Sequence, residues 1–227
     1  MPGRLIVFEG GEGSGKTTQI AYLQKWLQTS GLMAQLMASE AFSQLLITRE
    51  PGGTELGQEI RQLLLHHPAA AEPMHDRTEL LLYAADRAQH VETFLRPHLK
   101  QRALILCDRY TDSTIAYQGY GRRLDRTLIE QLNQIATGGL TSDLTLWLDV
   151  DVELGLARAQ RRGAIDRMEN ADLDFHHRVW QGFAELAAHH PDRMVRVDAN
   201  SDEITVAQQV QAIVRQRIAQ WSRGAGG

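Results

Sequence analysis

A single cysteine, Cys107, stands in 227 residues, so no internal disulfide can form and a cysteine cage for a metal is excluded. A reducing, cytoplasmic setting is the natural expectation. No apolar run approaches the roughly 18 residues that a membrane-spanning helix needs. The apolar stretch near the N-terminus, Leu5 to Phe8, is too short for a secretory leader and has no small-residue cleavage pattern after it. A basic excess is also missing: 24 Lys and Arg stand against 28 Asp and Glu, for a net charge of -4. That balance argues against nucleic acid as a partner, while a local cationic cluster for small phosphates stays compatible with it. With 43 % hydrophobic and 23 % charged residues, the chain can bury a core and is not predominantly disordered.

Five short apolar runs read as strands: Leu5 to Glu9, Leu45 to Thr48, Leu104 to Cys107, Leu144 to Asp149 and Met194 to Val197. Each is nearly continuous in apolar residues, as strands buried on both faces are. Stretches of helical period alternate with them: Lys16 to Gln28, Glu55 to Leu65, Thr78 to Leu99, Asp125 to Thr137, Val152 to Arg162, Leu173 to Ala188 and Glu203 to Trp221. The alternation predicts an α/β fold, a five-stranded parallel sheet flanked by helices. Pro97 belongs near the end of the third helix, because an interior proline removes a hydrogen bond and clashes. Met33 to Gln44 is open between a helix extension, a short separate element and a loop. No linker or repeat divides the chain, so one domain is expected over residues 1–222, with 223–227 as a flexible tail.

The strongest local signal is Gly10-Gly11-Glu12-Gly13-Ser14-Gly15-Lys16-Thr17, which fits G-x-x-x-x-G-K-[ST] between the first strand and the first helix. Glycines let backbone N–H groups turn onto phosphate oxygens, and the helix adds its positive end. Lys16 is expected to neutralise the β and γ phosphates of ATP and Thr17 to place its hydroxyl on Mg²⁺. Glu12 is out of keeping with a cradle for polyanions. Its side chain must point elsewhere, and sugar hydroxyls of a second nucleotide are suitable donors for it.

The rest of the chain selects among P-loop chemistries. N-K-x-D is absent, and the third strand ends Cys107-Asp108-Arg109-Tyr110 rather than in D-x-x-G, which disfavours a GTPase. Carboxylates at the C-terminal edge of a parallel sheet face the ligand crevice, so Asp108 suits a water-mediated hold on Mg²⁺ and Arg109 a fork for an oxyanion. Arg49 ends the second strand on the same edge. Two such arginines exceed what one ATP requires and imply a phosphorylated acceptor. The basic run from Arg158 to Arg167 around Gly163 has the composition of a lid that closes over the triphosphate. A phosphate monoester has a second pKa near 6, so such an acceptor is mostly dianionic at neutral pH and needs no general base.

Three segments in order, Phe8-Glu9-Gly10 through Thr18, Thr48-Arg49-Glu50-Pro51-Gly52-Gly53-Thr54, and Asp108-Arg109-Tyr110 through Gly119, closely resemble the motifs of the thymidylate kinases. The likeness covers nearly the whole chain and implies a P-loop nucleoside monophosphate kinase fold that transfers the γ-phosphoryl group of ATP to dTMP, giving dTDP. It further implies that Arg49 and Arg109 hold the dTMP phosphate and that Glu12 sits near the 3′-hydroxyl. Tyr83 would stack on thymine, where most relatives carry phenylalanine, and Arg87 would bond its exocyclic oxygen. Ser113, Thr114 and Gln118 would approach the base, and Tyr117 would crowd the 2′ position. The P-loop contains no arginine, so the resemblance is to the bacterial branch, whose lid, here about residues 153–170, supplies the transfer arginine; Arg158 and Arg162 are the first choices, ahead of Arg161 and Arg167. Members are homodimers packed through helices, for which Leu80, Leu81, Leu82 and Val91 are candidates, though core packing explains them as well. Between Gly31 and Thr48 the chain is longer than the family pattern.

The pairs His66-His67, His176-His177 and His189-His190 diverge by about 100° on a helix and read as surface residues rather than metal ligands. Trp26, Trp147, Trp180 and Trp221 read as packing. A kinase for another nucleoside monophosphate, or a P-loop nucleotide switch without acceptor chemistry, stays open. If Glu12 serves the acceptor, Glu12→Ala weakens dTMP far more than ATP in a binding assay; equal losses for both would refute that role.

Overall fold

The computed structural model describes residues 2–66, 72–161, 163, 167–168 and 171–223. His67, positions 162, 164–166 and 169–170 of the expected lid, Arg162 among them, and residues 224–227 of the expected tail lie outside the described residues.

Five strands, β1 (Arg4–Glu9), β2 (Gln44–Arg49), β3 (Ala103–Asp108), β4 (Leu144–Asp149) and β5 (Met194–Asp198), form one all-parallel sheet in the order β2-β3-β1-β4-β5. Successive side chains of a strand point to opposite faces, which separates the core into layers. Ile6 and Phe8 join the layer under α1 (Lys16–Thr29), α2 (Leu32–Ala38) and α10 (Glu203–Arg223), with Leu23, Leu27, Val210 and Val214. Leu5 and Val7 join Val91, Leu95 and Tyr110 on the other face. A third cluster gathers Trp147, Phe175, Val179 and Phe183 around α9 (Leu173–His189). The expectation of burial on both faces holds for the three central strands but not for the edges. Ile47 in β2 is 40 % exposed, because an edge strand has a neighbour on one side only.

The open segment after Gly31 resolves as a separate helix. Gly31 caps α2 in the left-handed region, at φ 77°, and buried Phe42 anchors the loop that follows. The third helix is a rod in three parts, α4 (Asp76–His90), a π-helical segment π1 (Val91–Leu95) and α5 (Arg96–Lys100), which follows α3 (Glu55–His66). Pro97 offers no N–H to the residue four before it, and the wider π turn sits just upstream. The segment from Thr111 to Gly121 is helical, as α6 (Thr111–Thr114) and π2 (Ile115–Gly121), where the sequence suggested no helix. Its Thr, Ser and Gly residues carry no helical apolar period, and packing against α9 supplies the order instead. Asp125 and Asp172 cap α7 (Arg126–Thr137) and α9 by accepting backbone N–H bonds. Between these lies α8 (Val152–Arg161).

Three expectations from the sequence change. His176 is buried against Phe175, their rings edge-to-face with centroids 5.4 Å apart, because α9 turns that position inward; it is not a surface residue. Leu80 and Val91 belong to the core and Leu82 packs partly against it, so of the four suggested dimer positions only Leu81 is exposed. Trp180 is 40 % exposed and donates its indole N–H to Asp149 at 2.7 Å, unlike buried Trp147 beside it. No helix among the described residues is long and apolar enough to cross a membrane.

Phe183 is fully buried, edge-on to Tyr117 and stacked on Trp147. Phe183→Ala is expected to destabilise the fold by about 3–5 kcal/mol, read as a lower denaturant midpoint at unchanged m-value; a shift near zero would contradict this packing.

Candidate active site

The carboxyl ends of β1, β2 and β3 open into a cleft of about 670 Å³, the location that parallel sheets reserve for ligands. Its floor is the P-loop leading into α1. Gly13 lies at φ 63° and so close to α8 that an added Cβ would meet the Gly155 carbonyl oxygen at 1.9 Å. Gly155 in turn leaves no room for a side chain against the Glu12 carbonyl. Two facing glycines thus let the cradle rest on the first turn of α8. Ser14 Oγ donates to the Gly11 carbonyl at 2.9 Å, and Gly15, at φ 87°, caps α1.

Lys16 Nζ donates to the carbonyls of Gly10 and Gly11 at 3.2 and 3.1 Å and to Ser14 Oγ at 3.3 Å. Burial, and after it the charge of Arg109, push its pKa down to about 8. Thr17 Oγ1 donates to Asp108 Oδ2 at 3.2 Å, so the two expected magnesium ligands stand together. Thr18 lines the cleft beside them.

Arg109 adopts a left-handed backbone at φ 70°, a conformation that costs a residue with a Cβ about 1–2 kcal/mol. Its N–H donates to the Phe8 carbonyl at 3.0 Å. Nη1 reaches the Gly10 carbonyl at 2.9 Å and Ser113 Oγ at 3.1 Å, while Nη2 reaches Glu12 Oε1 at 3.2 Å and Tyr117 OH at 3.0 Å. The guanidinium also lies over the Tyr117 ring, 4.8 Å from its centroid. Tyr117 OH donates to Glu12 Oε1 at 2.6 Å. Burial alone would raise the Glu12 pKa, but Arg109, Lys16 and this hydroxyl outweigh it and hold the carboxyl below its usual range. The carboxylate therefore turns to Arg109 and Tyr117.

A second wall is α4, where Glu79, Tyr83 and Arg87 follow at i, i+4 and i+8 on one face. The Arg87 guanidinium is buried, with Nε on Glu50 at 2.8 Å, Nη1 on Thr114 Oγ1 and Asn133 Oδ1 at 2.8 and 2.7 Å, and Nη2 on the Tyr110 carbonyl at 3.0 Å. Glu50 Oε1 pairs with His90 Nδ1 at 2.8 Å, and His90 Nε2 with Thr48 Oγ1 at 2.7 Å. Ser113, Thr114, Tyr117 and Gln118 line the cleft from α6 and π2, and Tyr83 from α4. Arg49 lines it too, exposed, its side chain with no hydrogen bond or ion pair to any described residue. Of the arginines expected in the lid, Arg158 lines the cleft and donates to the carbonyls of Ala199 and Asn200 at 2.9 and 3.3 Å; Arg161 lines it as well. Arg167 instead pairs with Glu79 and bonds the Leu64 carbonyl, and Arg162 lies outside the described residues.

Sequence reasoning passed over Arg61, which lines the cleft and donates to the Pro51 carbonyl at 3.0 Å. Burial, and then neighbouring Arg49, push its guanidinium below the usual value. On an amphipathic helix nothing marked it apart. It also passed over Glu50, Glu79 and His90, although Glu50 sits inside a quoted motif, and over Glu9. Glu9 accepts Ser113 Oγ at 2.5 Å and the N–H groups of Tyr110 and Ser113 at 2.8 and 3.1 Å.

The sequence model described as thymidylate kinase matches residues 8–210. The chain belongs to the thymidylate kinase family. It is 56 % identical over 228 residues to the thymidylate kinase of Cyanothece sp. (strain PCC 7425 / ATCC 29141), covering 97 % of each chain. It is also 56 % identical over 223 residues to that of Trichodesmium erythraeum (strain IMS101), covering 97 % of this chain and 99 % of the other. The crystal structure of thymidylate kinase from Ehrlichia chaffeensis superposes with a TM-score of 0.73 at 31 % identity, over 94 % of this chain and 100 % of that one. The five-stranded parallel sheet with flanking helices is thus the fold of a thymidylate kinase, and all the cleft residues named above fall within the matched span.

Glu9 has a consequence for stability in this thymidylate kinase fold. Burial first, and Asp112 second, raise its pKa to about 7 against the partly compensating Arg109, Ser113 and Tyr110 N–H. The folded state therefore holds this proton more tightly than the unfolded chain does. Its stabilising contribution is full below pH 4.5 and is lost as pH rises through 7. Glu9→Gln is expected to flatten the stability profile across that window by up to about 3 kcal/mol; an unchanged slope in unfolding titrations would count against the raised pKa.

Proposed function

We propose that the chain carries out the reaction its family is named for, ATP-dependent phosphorylation of dTMP to dTDP, with the donor phosphates on the P-loop and the acceptor phosphate on Arg49 and Arg109. The observation that carries this division is a cleft with Lys16 in its cradle and, among the arginines that line it, Arg49, Arg61 and Arg109 near one another at its edge. One triphosphate does not need that much positive charge.

A phosphate oxygen of dTMP attacks the γ-phosphorus, the new P–O bond forms as the bond to the β-phosphate oxygen breaks, and ADP leaves. The nucleophile is already ionised, so the protein's task is alignment and charge. Lys16 exchanges its carbonyl partners for β and γ oxygens. Arg109, anchored by Glu12 and Ser113, holds the acceptor phosphate with Arg49, and Arg61 adds charge beside them. Thr17 and Asp108 are hard oxygen ligands 3.2 Å apart and fit Mg²⁺, which takes one or two protein oxygens alongside phosphates. When bound there it would offset charge developing on the transferring group. Glu12 serves the 3′-hydroxyl, and Tyr117 crowds the 2′ position. Tyr83 stacks on the base, and Arg87 offers its exocyclic oxygen the second Nη2 hydrogen, with Ser113, Thr114 and Gln118 around it. Arg158 and Arg162 remain the first choices for the transfer arginine. Arg158 is tied to loop carbonyls and would have to release them.

The same reading takes residues 1–222 as one kinase domain with a lid over about 153–170, in the cytoplasm, without nucleic acid as a partner. It also takes the protein as a homodimer. Supporting this, Leu63 of α3, Leu81 of α4 and Ile135 of α7 are exposed on helices that adjoin one another.

With γ-labelled ATP and a panel of dTMP, UMP and GMP, label is expected to reach dTMP fastest. Lys16→Ala should lower that rate by orders of magnitude with the fold intact. Faster transfer to UMP or GMP would point to another monophosphate kinase, and slow hydrolysis indifferent to dTMP to a nucleotide switch.

A further inference from the structure

Glu79 is fully buried on α4, one turn before Tyr83 and two before Arg87, and the reaction described above gives it no task. Its Oε1 accepts Gln118 Nε2 at 2.8 Å and Arg122 Nε at 3.4 Å; its Oε2 accepts Arg122 Nη2 at 3.2 Å and pairs with Arg167. Against the cost of burial, Arg122, the Gln118 amide and Arg167 hold its pKa below the usual carboxylate range.

An ionised carboxylate only accepts hydrogen bonds. Gln118 must therefore turn its NH₂ group to Glu79, which settles an amide orientation that side-chain shape alone leaves ambiguous. The carbonyl Oε1 is the atom left over. Gln118 lines the cleft, and its Oε1 accepts no hydrogen bond from any described residue. We propose that Glu79 is a specificity-positioning residue: by holding the Gln118 NH₂ group it reserves the Gln118 carbonyl for a hydrogen-bond donor on the acceptor's base.

Pyrimidine chemistry gives that reservation a consequence. Thymine and uracil present N3–H, a donor, beside O4, an acceptor; cytosine presents N3, an acceptor, beside an amino donor. A cleft offering the Arg87 donor and the Gln118 acceptor matches the first pattern and opposes the second at both atoms. An unpaired or opposed polar group in a dry pocket is what makes such a site reject the wrong ligand. The inference deepens the reading of Gln118 and Arg87 as base contacts and depends on it.

The test compares kcat/KM for dTMP, dUMP and dCMP. Glu79→Gln places an amide, which both donates and accepts, against Gln118 and frees it to turn. Glu79→Asp keeps the charge that Arg122 and Arg167 require but withdraws the acceptor, and it carries the test if the first variant fails to fold. In both, the preference for dTMP over dCMP is expected to fall by roughly tenfold or more, while dTMP over dUMP and the KM for ATP stay within about twofold. Equal losses on all three acceptors, or an unchanged dTMP to dCMP ratio, would overturn the proposal and leave Glu79 a structural role. Gln118→Leu separates the two layers. If it keeps wild-type selectivity, the base contact itself is wrong; if it loses selectivity that the Glu79 variants retain, only the role of Glu79 is wrong.

Discussion

Arg109 is the residue around which the cleft is organised. Its left-handed backbone lets β3 end on Asp108 and at once turn a guanidinium back toward β1, where it touches the P-loop carbonyl of Gly10, the Glu12 carboxylate and Ser113 together. Strain of this kind persists only where the surroundings over-determine it. Here they do so from both sides, through the Phe8 carbonyl on the backbone N–H and through Tyr117 beneath the guanidinium. Ser113 links the arrangement to Glu9, a carboxyl group inside the sheet layer, so the P-loop and the end of β3 share one hydrogen-bonded frame.

The α4 wall follows the same logic with different groups. Arg87 is buried, and a buried charge without partners would be prohibitive. Glu50 neutralises it, and His90 fixes the second Glu50 oxygen and is itself fixed by Thr48. Glu50 just after β2, Tyr110 just after β3, Thr114 of α6 and Asn133 of α7 thereby converge on the one guanidinium that α4 presents. Such a network holds the side chain in a single pose before any ligand arrives, which reduces the ordering cost of binding.

What was legible in the sequence was what depends on neighbours in the chain. The P-loop is a local pattern of glycines with its lysine, the strands are short apolar runs, and Asp125 stands one residue ahead of the helix it caps. The helical course of Thr111 to Gly121 was not legible, because its order comes from α9, some 60 residues away in the chain. Burial of His176 and exposure of Ile47 likewise depend on which neighbour covers a face. Glu9, Glu50 and Glu79 were invisible as site residues for a related reason: each acts through a partner from another element, and no spacing in the sequence announces a contact between residues 79 and 118. Arg61 shows the limit for charged groups, since its helix position looks solvated until β2 and its loop bring Arg49 and Pro51 beside it.

The overall charge of -4 and the cationic cleft are two views of one arrangement. Arg109 is backed by Glu12, Arg87 by Glu50, and Arg122 and Arg167 by Glu79. Each acid cancels charge at long range, and further protein acceptors fix the direction of the guanidinium. Fields from such pairs fall away quickly outside the cleft. Inside it, the guanidiniums are already held in place. Arg49, Arg61 and Arg158 line the same cleft without a described acid partner: Arg61 and Arg158 reach only backbone carbonyls, and the Arg49 side chain is left with its charge unbalanced.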